Sequence, residues 1–460
     1  MVFSGLYFLF SFLPLVLILY FLVPEFLKNL VLLLASIFFY AWGEPVYVFL
    51  MLFSAAFNFA VGLDIDGAVK SEKKKLLIFA VVVNLFILGF FKYYGFFIET
   101  VNAVFGVSIP CRELALPIGI SFYTFQSLSY ILDVYHRKVK VQHNLIKFAL
   151  YLTMFPQLIA GPIVQYSDIE GQLEKRRVGW SDFGKGVNRF IQGLAKKVLF
   201  ANNLGMLYTG IQELHQRSVL TVWIGIMAYT LQIYFDFSGY SDMAIGLGKM
   251  FGFTFNENFR YPYISCSVTE FWRRWHISLS TWFRDYVYIP LGGNRVSEWK
   301  HVRNIIVVWM LTGLWHGASW NFVVWGLYYG ILLLLEKYLL ADKLELLPQR
   351  IRRLLTLILV MIGWVFFSNT NFADAIFYLK NMVGVGTTRL IDTGSLYYLR
   401  NNLILLAAGW IAAGPAPGKW FNKLTERKPV PAVFIDVALF VLCLAYLVSS
   451  TYNPFLYFRF

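Results

Sequence analysis

Residues 1–24 carry no charged side chain, and neither do residues 29–43 or 76–91. A helix needs about 20 mainly apolar residues to cross a bilayer, so these runs are long enough or nearly so. Lipid supplies no water to satisfy free backbone groups, and only helices or closed barrels can span it. The same character extends over all 460 residues, of which 58% are hydrophobic and 14% charged. An ordinary soluble domain carries roughly a quarter charged residues and would have nowhere to hide this surface. Aromatics, at 19%, suit interfacial belts. The expected fold class is therefore an all-α polytopic membrane protein. It should have about 11–12 transmembrane helices, with re-entrant and interfacial helices besides. Met1 to Val23 reads as an uncleaved first span. It has no basic leader, its apolar stretch is too long for a signal peptide, and Pro24, Glu25 and Phe26 offer no small-residue cleavage site.

The net charge of +14 does not imply nucleic acid. The basic residues sit in short loops between apolar runs, where the positive-inside rule places them against anionic headgroups. Lys28, then Lys70 with Lys73, Lys74 and Lys75, then Arg137, Lys138 and Lys140 mark cytoplasmic loops, which puts the N-terminus outside. Span 76–95 then exits and span 114–134 returns. Further spans are expected near 187–211, 219–238, 354–369, 396–413 and 432–450, with a polar-interrupted stretch at 235–262. Basic loops at 350–353 and 419–428 are again cytoplasmic. Cys111, Cys266 and Cys443 are scattered, with neither C-x-x-C nor metal spacing, so neither a metal nor a disulfide framework is expected.

The alternation breaks at 145–166, which Lys175, Arg176 and Arg177 follow closely. Pro156, Gly161 and Pro162 lie inside Phe155-Pro-Gln-Leu-Ile-Ala-Gly-Pro-Ile163. Irregular backbone at membrane depth is tolerated only inside protein or along a cavity. The segment reads as re-entrant.

Three places can carry chemistry. Between Arg303 and Glu336 there is no Asp, Glu, Lys or Arg, and His316 is the only ionisable group besides tyrosines. A histidine in such a setting marks a functional site by default, and Gly313 and Gly317 beside it permit close approach of a backbone or a substrate. Glu270 to Tyr286 reads as one amphipathic interfacial helix. Phe271, Trp272, Trp275, Leu279, Trp282, Phe283 and Tyr286 form one arc; Glu270, Arg273, Arg274, Ser280 and Arg284 form the other, with His276 at the boundary. These arginines either face headgroups or meet an anionic donor, since guanidinium matches phosphate. Asp236 and Asp242, in Phe235-Asp-Phe-Ser-Gly-Tyr-Ser-Asp242, need partners or water; the arginines of that helix are candidates.

At these residues the chain resembles the membrane-bound O-acyltransferase (MBOAT) family, in its bacterial branch of alginate O-acetyltransferase and D-alanyl-transfer membrane proteins. The motifs carrying the likeness span nearly the whole chain. They are Phe155 to Ile163, Phe235 to Asp242, Asn258-Phe-Arg-Tyr-Pro-Tyr263, Phe271-Trp-Arg-Arg-Trp-His-Ile-Ser-Leu-Ser280, Tyr288-Ile-Pro-Leu-Gly-Gly293, Trp315-His-Gly317 and Asn453-Pro-Phe-Leu-Tyr-Phe-Arg-Phe460. Their order and number make the likeness specific. It implies a single membrane domain over 1–460, with N-terminal spans 1–144, a core 145–340 and C-terminal spans 341–460. The spans would ring a central tunnel, with His316 as the family's essential histidine and His276 as the second.

The resemblance further implies transfer of an acyl group, by preference acetyl, from a cytoplasmic thioester to an extracytoplasmic polysaccharide such as alginate. Acetyl-CoA would be the donor substrate, with no bound cofactor. Partners would be the lipid bilayer, an extracytoplasmic acetyltransferase or the polymer itself, with an acyl carrier protein as the donor in the D-alanyl case. The location would be the bacterial inner membrane. His316 would act as general base, His276 would assist, and Asn321 or a tyrosine would stabilise the oxyanion. Arg273, Arg274, Arg284, Asp242 and Trp315 complete the candidate binding set. Two rivals are a transporter, which usually shows paired inverted repeats absent from this sequence, and a silent scaffold recruiting an external enzyme.

Overall fold

The computed structural model describes all residues except 113, 160, 370, 387–388, 428, 451 and 457–460, with side chains at 422 and 429 also left aside. Ala160 in the Pro156 motif and the last four residues of the C-terminal motif thus lie outside the described residues. Among the described residues the secondary structure is helical, with no strand. Among these residues six helices are long and apolar enough to cross a membrane: Tyr47–Gly67, Lys70–Phe105, Val219–Met250, Trp320–Glu345, Gln349–Ser368 and Val430–Ser449. The apolar windows of Lys70–Phe105 and Val430–Ser449 are only 17% and 11% buried, so their side chains are left for lipid. That of Val219–Met250 is 78% buried and is enclosed by protein. The chain is a multi-pass membrane protein.

The described chain divides into two compact units. The first comprises Met1–Phe190 and Ser241–Asn256. Here the Tyr47–Gly67 and Lys70–Phe105 helices are joined by a reciprocal amide pair, Asn58 to Asn84, at 2.8 and 3.1 Å. A satisfied pair of this kind is how polar groups persist at membrane depth. The 145–166 segment is no single helix. Asn144 caps Leu145–Thr153, the backbone turns out at Met154, a four-residue helix Phe155–Leu158 follows, and helix resumes at Tyr166. Neither piece before Tyr166 is long enough to cross a bilayer. The irregular backbone is buried and satisfied: Ser36 Oγ accepts from Phe155 N–H at 3.1 Å, and Tyr151 O–H donates to the Val164 carbonyl at 3.2 Å. Gly161 is required here, because a Cβ would stand 2.6 Å from Gln157 Cα.

Two expectations are corrected in this unit. Arg176 is not merely a loop charge; it donates to Tyr20 Oη and the Phe251 carbonyl at 3.0 Å each and to Asn29 Oδ1 at 2.6 Å. Asp242 pairs with Arg189 at 2.7 Å, a cation outside the 270–286 segment.

The second unit comprises Ile191–Tyr240 and Glu257–Phe460. The Val219–Met250 helix continues through the first part of the 235–262 stretch expected to be interrupted and ends at Met250. It can do so because Asp236, buried within it, is paired with Lys197 at 2.6 Å and accepts from Leu456 N–H at 2.8 Å. Lys197 also donates to the Pro454 carbonyl, so the ion pair holds the C-terminal segment.

Glu298–His316 and Trp320–Leu335 form an antiparallel pair with exceptionally close backbones. A Cβ on Gly313 would lie 2.2 Å from the Phe322 carbonyl oxygen, and one on Gly326 would lie 2.2 Å from that of Trp309. What Gly313 admits is therefore a neighbouring helix. Against this pair packs a ring-rich core that includes Phe271, Trp272, Trp275, Trp325, Tyr329 and Trp364.

Candidate active site

The expected 270–286 helix is broken in the middle. Val268–Arg274 and Ile277–Phe283 are separate helices, and His276 between them has φ +43° and ψ +55°. Left-handed backbone is uncommon outside glycine, and in functional sites it persists only where surroundings enforce it. The enforcing segment is the 258–261 stretch. Arg260 N–H donates to the Arg274 carbonyl at 2.9 Å, and Ile277 N–H donates to the Asn258 carbonyl at 3.0 Å, one on each side of the break. The apolar arc is buried as its period implied: Phe271, Trp272, Trp275, Leu279, Trp282 and Phe283 all face protein. His276 is not at the boundary; it is 1% exposed.

The tautomer of His276 follows from its neighbours. Asn258 Oδ1 accepts from the Ser278 backbone N–H at 3.2 Å and from Ser278 Oγ at 3.0 Å, which fixes that atom as the oxygen. The same oxygen lies 3.2 Å from His276 Nδ1, so Nδ1 carries the proton and Nε2 carries the lone pair. Nε2 is buried with no hydrogen-bond partner among the described residues. Burial lowers the imidazole to about 3, which keeps it neutral at physiological pH.

His276 lines a cavity of about 490 Å³ together with Arg273, Arg284, Tyr288 and Thr312. His316 lies one turn beyond Thr312 on the same helix, 3% exposed. Its ring is held edge-on by Trp325 at 4.9 Å and Phe367 at 5.2 Å between centroids. Trp315 connects the histidines: its ring is 5.0 Å from that of His316 and 5.9 Å from that of His276. Two histidines 40 positions apart in sequence are thus joined through one indole.

The other candidates divide. Arg273 is exposed and lines the cavity. Arg284 lines it too but is bound to Asp285 at 2.7 and 3.2 Å. Arg274 is committed to Glu270 at 2.8 Å and to the Arg260 carbonyl at 3.0 Å. Asn321 uses its amide nitrogen on the Asn369 carbonyl at 2.8 Å, tying two helix ends. Asp242 belongs to the other unit. Among the described residues no group of three His, Cys, Asp or Glu is placed to hold a metal ion, and the three cysteines are free thiols.

Sequence reasoning missed Asn258, which stood in a quoted motif without a role, and His301. His301 Nδ1 lies 2.9 Å from Tyr338 Oη and its Nε2 lies 3.1 Å from Tyr288 Oη and 3.2 Å from Lys337 Nζ. Only the tyrosines and lysine around it, distant in sequence, distinguish it from a solitary polar residue.

The site is thus an all-helical membrane unit with two buried histidines, one of them lining a cavity. Comparison with known proteins makes the assignment: residues 136–371 match the model of the membrane-bound O-acyltransferase family, and the chain belongs to that family. It is a membrane O-acyltransferase. It is similar to the probable alginate O-acetylase of Azotobacter vinelandii, 41% identical over the full length of both chains. It is also similar to that of Pseudomonas aeruginosa, 45% identical over 88% of this chain and 80% of the relative. A remoter likeness, 28% identical over 49% of this chain and 60% of the relative, is to the teichoic acid D-alanyltransferase of Bacillus subtilis.

Proposed function

We propose that the chain transfers an acetyl group from a cytoplasmic thioester, acetyl-CoA, to a hydroxyl of an extracytoplasmic polysaccharide of the alginate type. In this reading it resides in the bacterial inner membrane as one functional domain. The observation that carries the reading is the cavity lined by His276 and Arg273 one helical turn from His316. The likeness to probable alginate O-acetylases over the whole chain supports acetyl over D-alanyl, since the teichoic acid D-alanyltransferase matches only half of it.

His316 takes the proton of the acceptor hydroxyl as its oxygen attacks the thioester carbonyl. The C–S bond breaks, and the proton passes to the departing thiolate, so the imidazole is neutral again. Trp315, Trp325 and Phe367 hold the ring and exclude water, which protects the thioester from hydrolysis. His276 assists: its Nε2 lone pair accepts a hydrogen bond and helps hold the donor. Arg273 faces the donor's anionic part. An extracytoplasmic acetyltransferase, or the polymer itself, receives the acetyl group.

The test is His316→Ala, with expression confirmed, assayed for polymer acetylation and for thiol release from acetyl-CoA by purified protein. Loss of both is expected. Unchanged acetylation would overturn the assignment, and a wild-type protein that supports acetylation without releasing thiol would indicate a transporter or scaffold.

A further inference from the structure

The π-helical turn Glu336–Leu340 makes three anchoring contacts from three consecutive residues. Glu336 accepts from the N–H groups of Val268 and Thr269 at 2.7 and 3.2 Å, capping the helix that carries Arg273. Lys337 and Tyr338 both bond to His301, at 3.2 and 2.9 Å. His301 in turn reaches Tyr288, which lines the His276 cavity. Tyr288 closes a second π-helical turn, Arg284–Tyr288. Such turns are rare and gather at functional sites.

His301 is 4% exposed and both of its ring nitrogens are engaged. An ammonium only donates, so the Lys337 contact leaves the lone pair on Nε2 and the proton on Nδ1, which donates to Tyr338 Oη. Tyr288 O–H therefore donates to the same Nε2 lone pair, at 3.1 Å. Among the described residues that nitrogen is the sole hydrogen-bond partner of Tyr288 Oη.

Tyr288 stands at the edge of the cavity. It is half-buried between exposed Arg284 and exposed Ile289, whereas Leu279, Phe283 and His276 are buried members of the lining. His301 lies on the Glu298–His316 helix, which also gives Thr312 to the lining and carries His316. One hydrogen bond thus ties the rim of the cavity to the helix of His316 rather than to the rim's own segment.

We propose that His301 is a positioning residue for acyl transfer: its Nε2 holds Tyr288 at the rim and so fixes the opening by which an occupant reaches His276. The inference rests on the reading that the thioester is processed beside His276. His301 touches neither reactant and acts only through Tyr288. A rim set in advance need not be ordered at binding, so its loss falls on KM rather than on kcat.

The experiment takes two readouts on the full-length protein in detergent. The first is KM and kcat for acetyl-CoA, followed by thiol release in the presence of polysaccharide. His301→Ala and Tyr288→Phe should each raise KM about fivefold and leave kcat within about twofold, the scale of one hydrogen bond. The double variant should match the worse single rather than multiply to about 25-fold, because both changes remove one contact. His301→Gln, which returns an acceptor within reach of Tyr288, should recover most of the loss. The second readout needs no turnover: the rate at which diethylpyrocarbonate modifies His276, read by peptide mass spectrometry. It should rise about fivefold in both single variants, as for loss of one hydrogen bond at the rim, and return toward wild type in His301→Gln. His316, on the same helix but not in the lining, should keep its wild-type rate throughout. KM effects that multiply, or a fall confined to kcat, would overturn the proposal. So would unaltered modification of His276 in both single variants, or a parallel rise at His316, which would mean general loosening. A wild-type protein that releases no thiol would remove the thioester reading, and the modification rates would still decide this one.

Discussion

Asn258 Oδ1 lies 3.2 Å from His276 Nδ1, and that contact decides which imidazole nitrogen keeps a lone pair. Asn258→Leu should leave His276 free to take either tautomer and lower turnover by about 10- to 100-fold, the kinetic equivalent of one buried hydrogen bond of roughly 1–3 kcal/mol. Asn258→Asp, which keeps the acceptor oxygen, should restore part of the activity. Equal rates in all three proteins would remove the positioning role.

His276 also predicts how stability depends on pH. Its folded value of about 3 lies below the unfolded value of about 6.5, so the unfolded chain binds more protons between these limits. Stability is therefore full above about 6.5 and falls as pH drops toward 3, by on the order of 1–2 kcal/mol between pH 7 and pH 5. Thermal melting in detergent should show a lower Tm at pH 5 than at pH 7, and His276→Gln should shrink that difference.

Gly313→Ala should destabilise the helix pair more than an ordinary overpacking change of about 1–3 kcal/mol, because the new methyl meets a backbone carbonyl at 2.2 Å. Lower expression and a reduced Tm are the readouts. Gly89→Ala, whose Cβ would meet nothing within 4 Å, is the control and should melt like wild type.

Breaking the buried pair at one end, as in Asp236→Leu, leaves Lys197 uncompensated and should cost about 3–5 kcal/mol. The double variant Lys197→Met with Asp236→Leu should recover much of that. Protease sensitivity of the 454–456 segment should rise in the single variant and further in the double, which removes both the Asp236 contact to Leu456 and the Lys197 contact to Pro454.

The sequence made the membrane class legible because charge-free runs of that length have no other stable outcome. It also singled out His316, whose isolation among apolar residues is a local fact, and the buried arc of the 270–286 segment, whose period survives. The break in that segment was not legible. No glycine or proline marks Trp275 or His276, the apolar period continues across them, and the bonds that impose the left-handed turn come from Asn258 and Arg260, well upstream. The partners of Asp236 and Asp242 were misassigned for a similar reason. A buried carboxylate announces that it needs a cation, but whether that cation is Lys197, Arg189 or an arginine of another helix is settled by tertiary packing alone. His301 was invisible because its significance lies in Tyr288, Lys337 and Tyr338 converging on it.

The positive φ of His276 sets backbone relief against activity. Asparagine tolerates that region better than histidine, and glycine better still. His276→Asn or His276→Gly would relax the turn but delete a buried imidazole packed 4.6 Å from the Phe237 ring, so the backbone gain is offset by the cavity left behind. Both should transfer acyl groups poorly. The strained turn is thus tied to the side chain it carries, and no substitution relieves the one without losing the other.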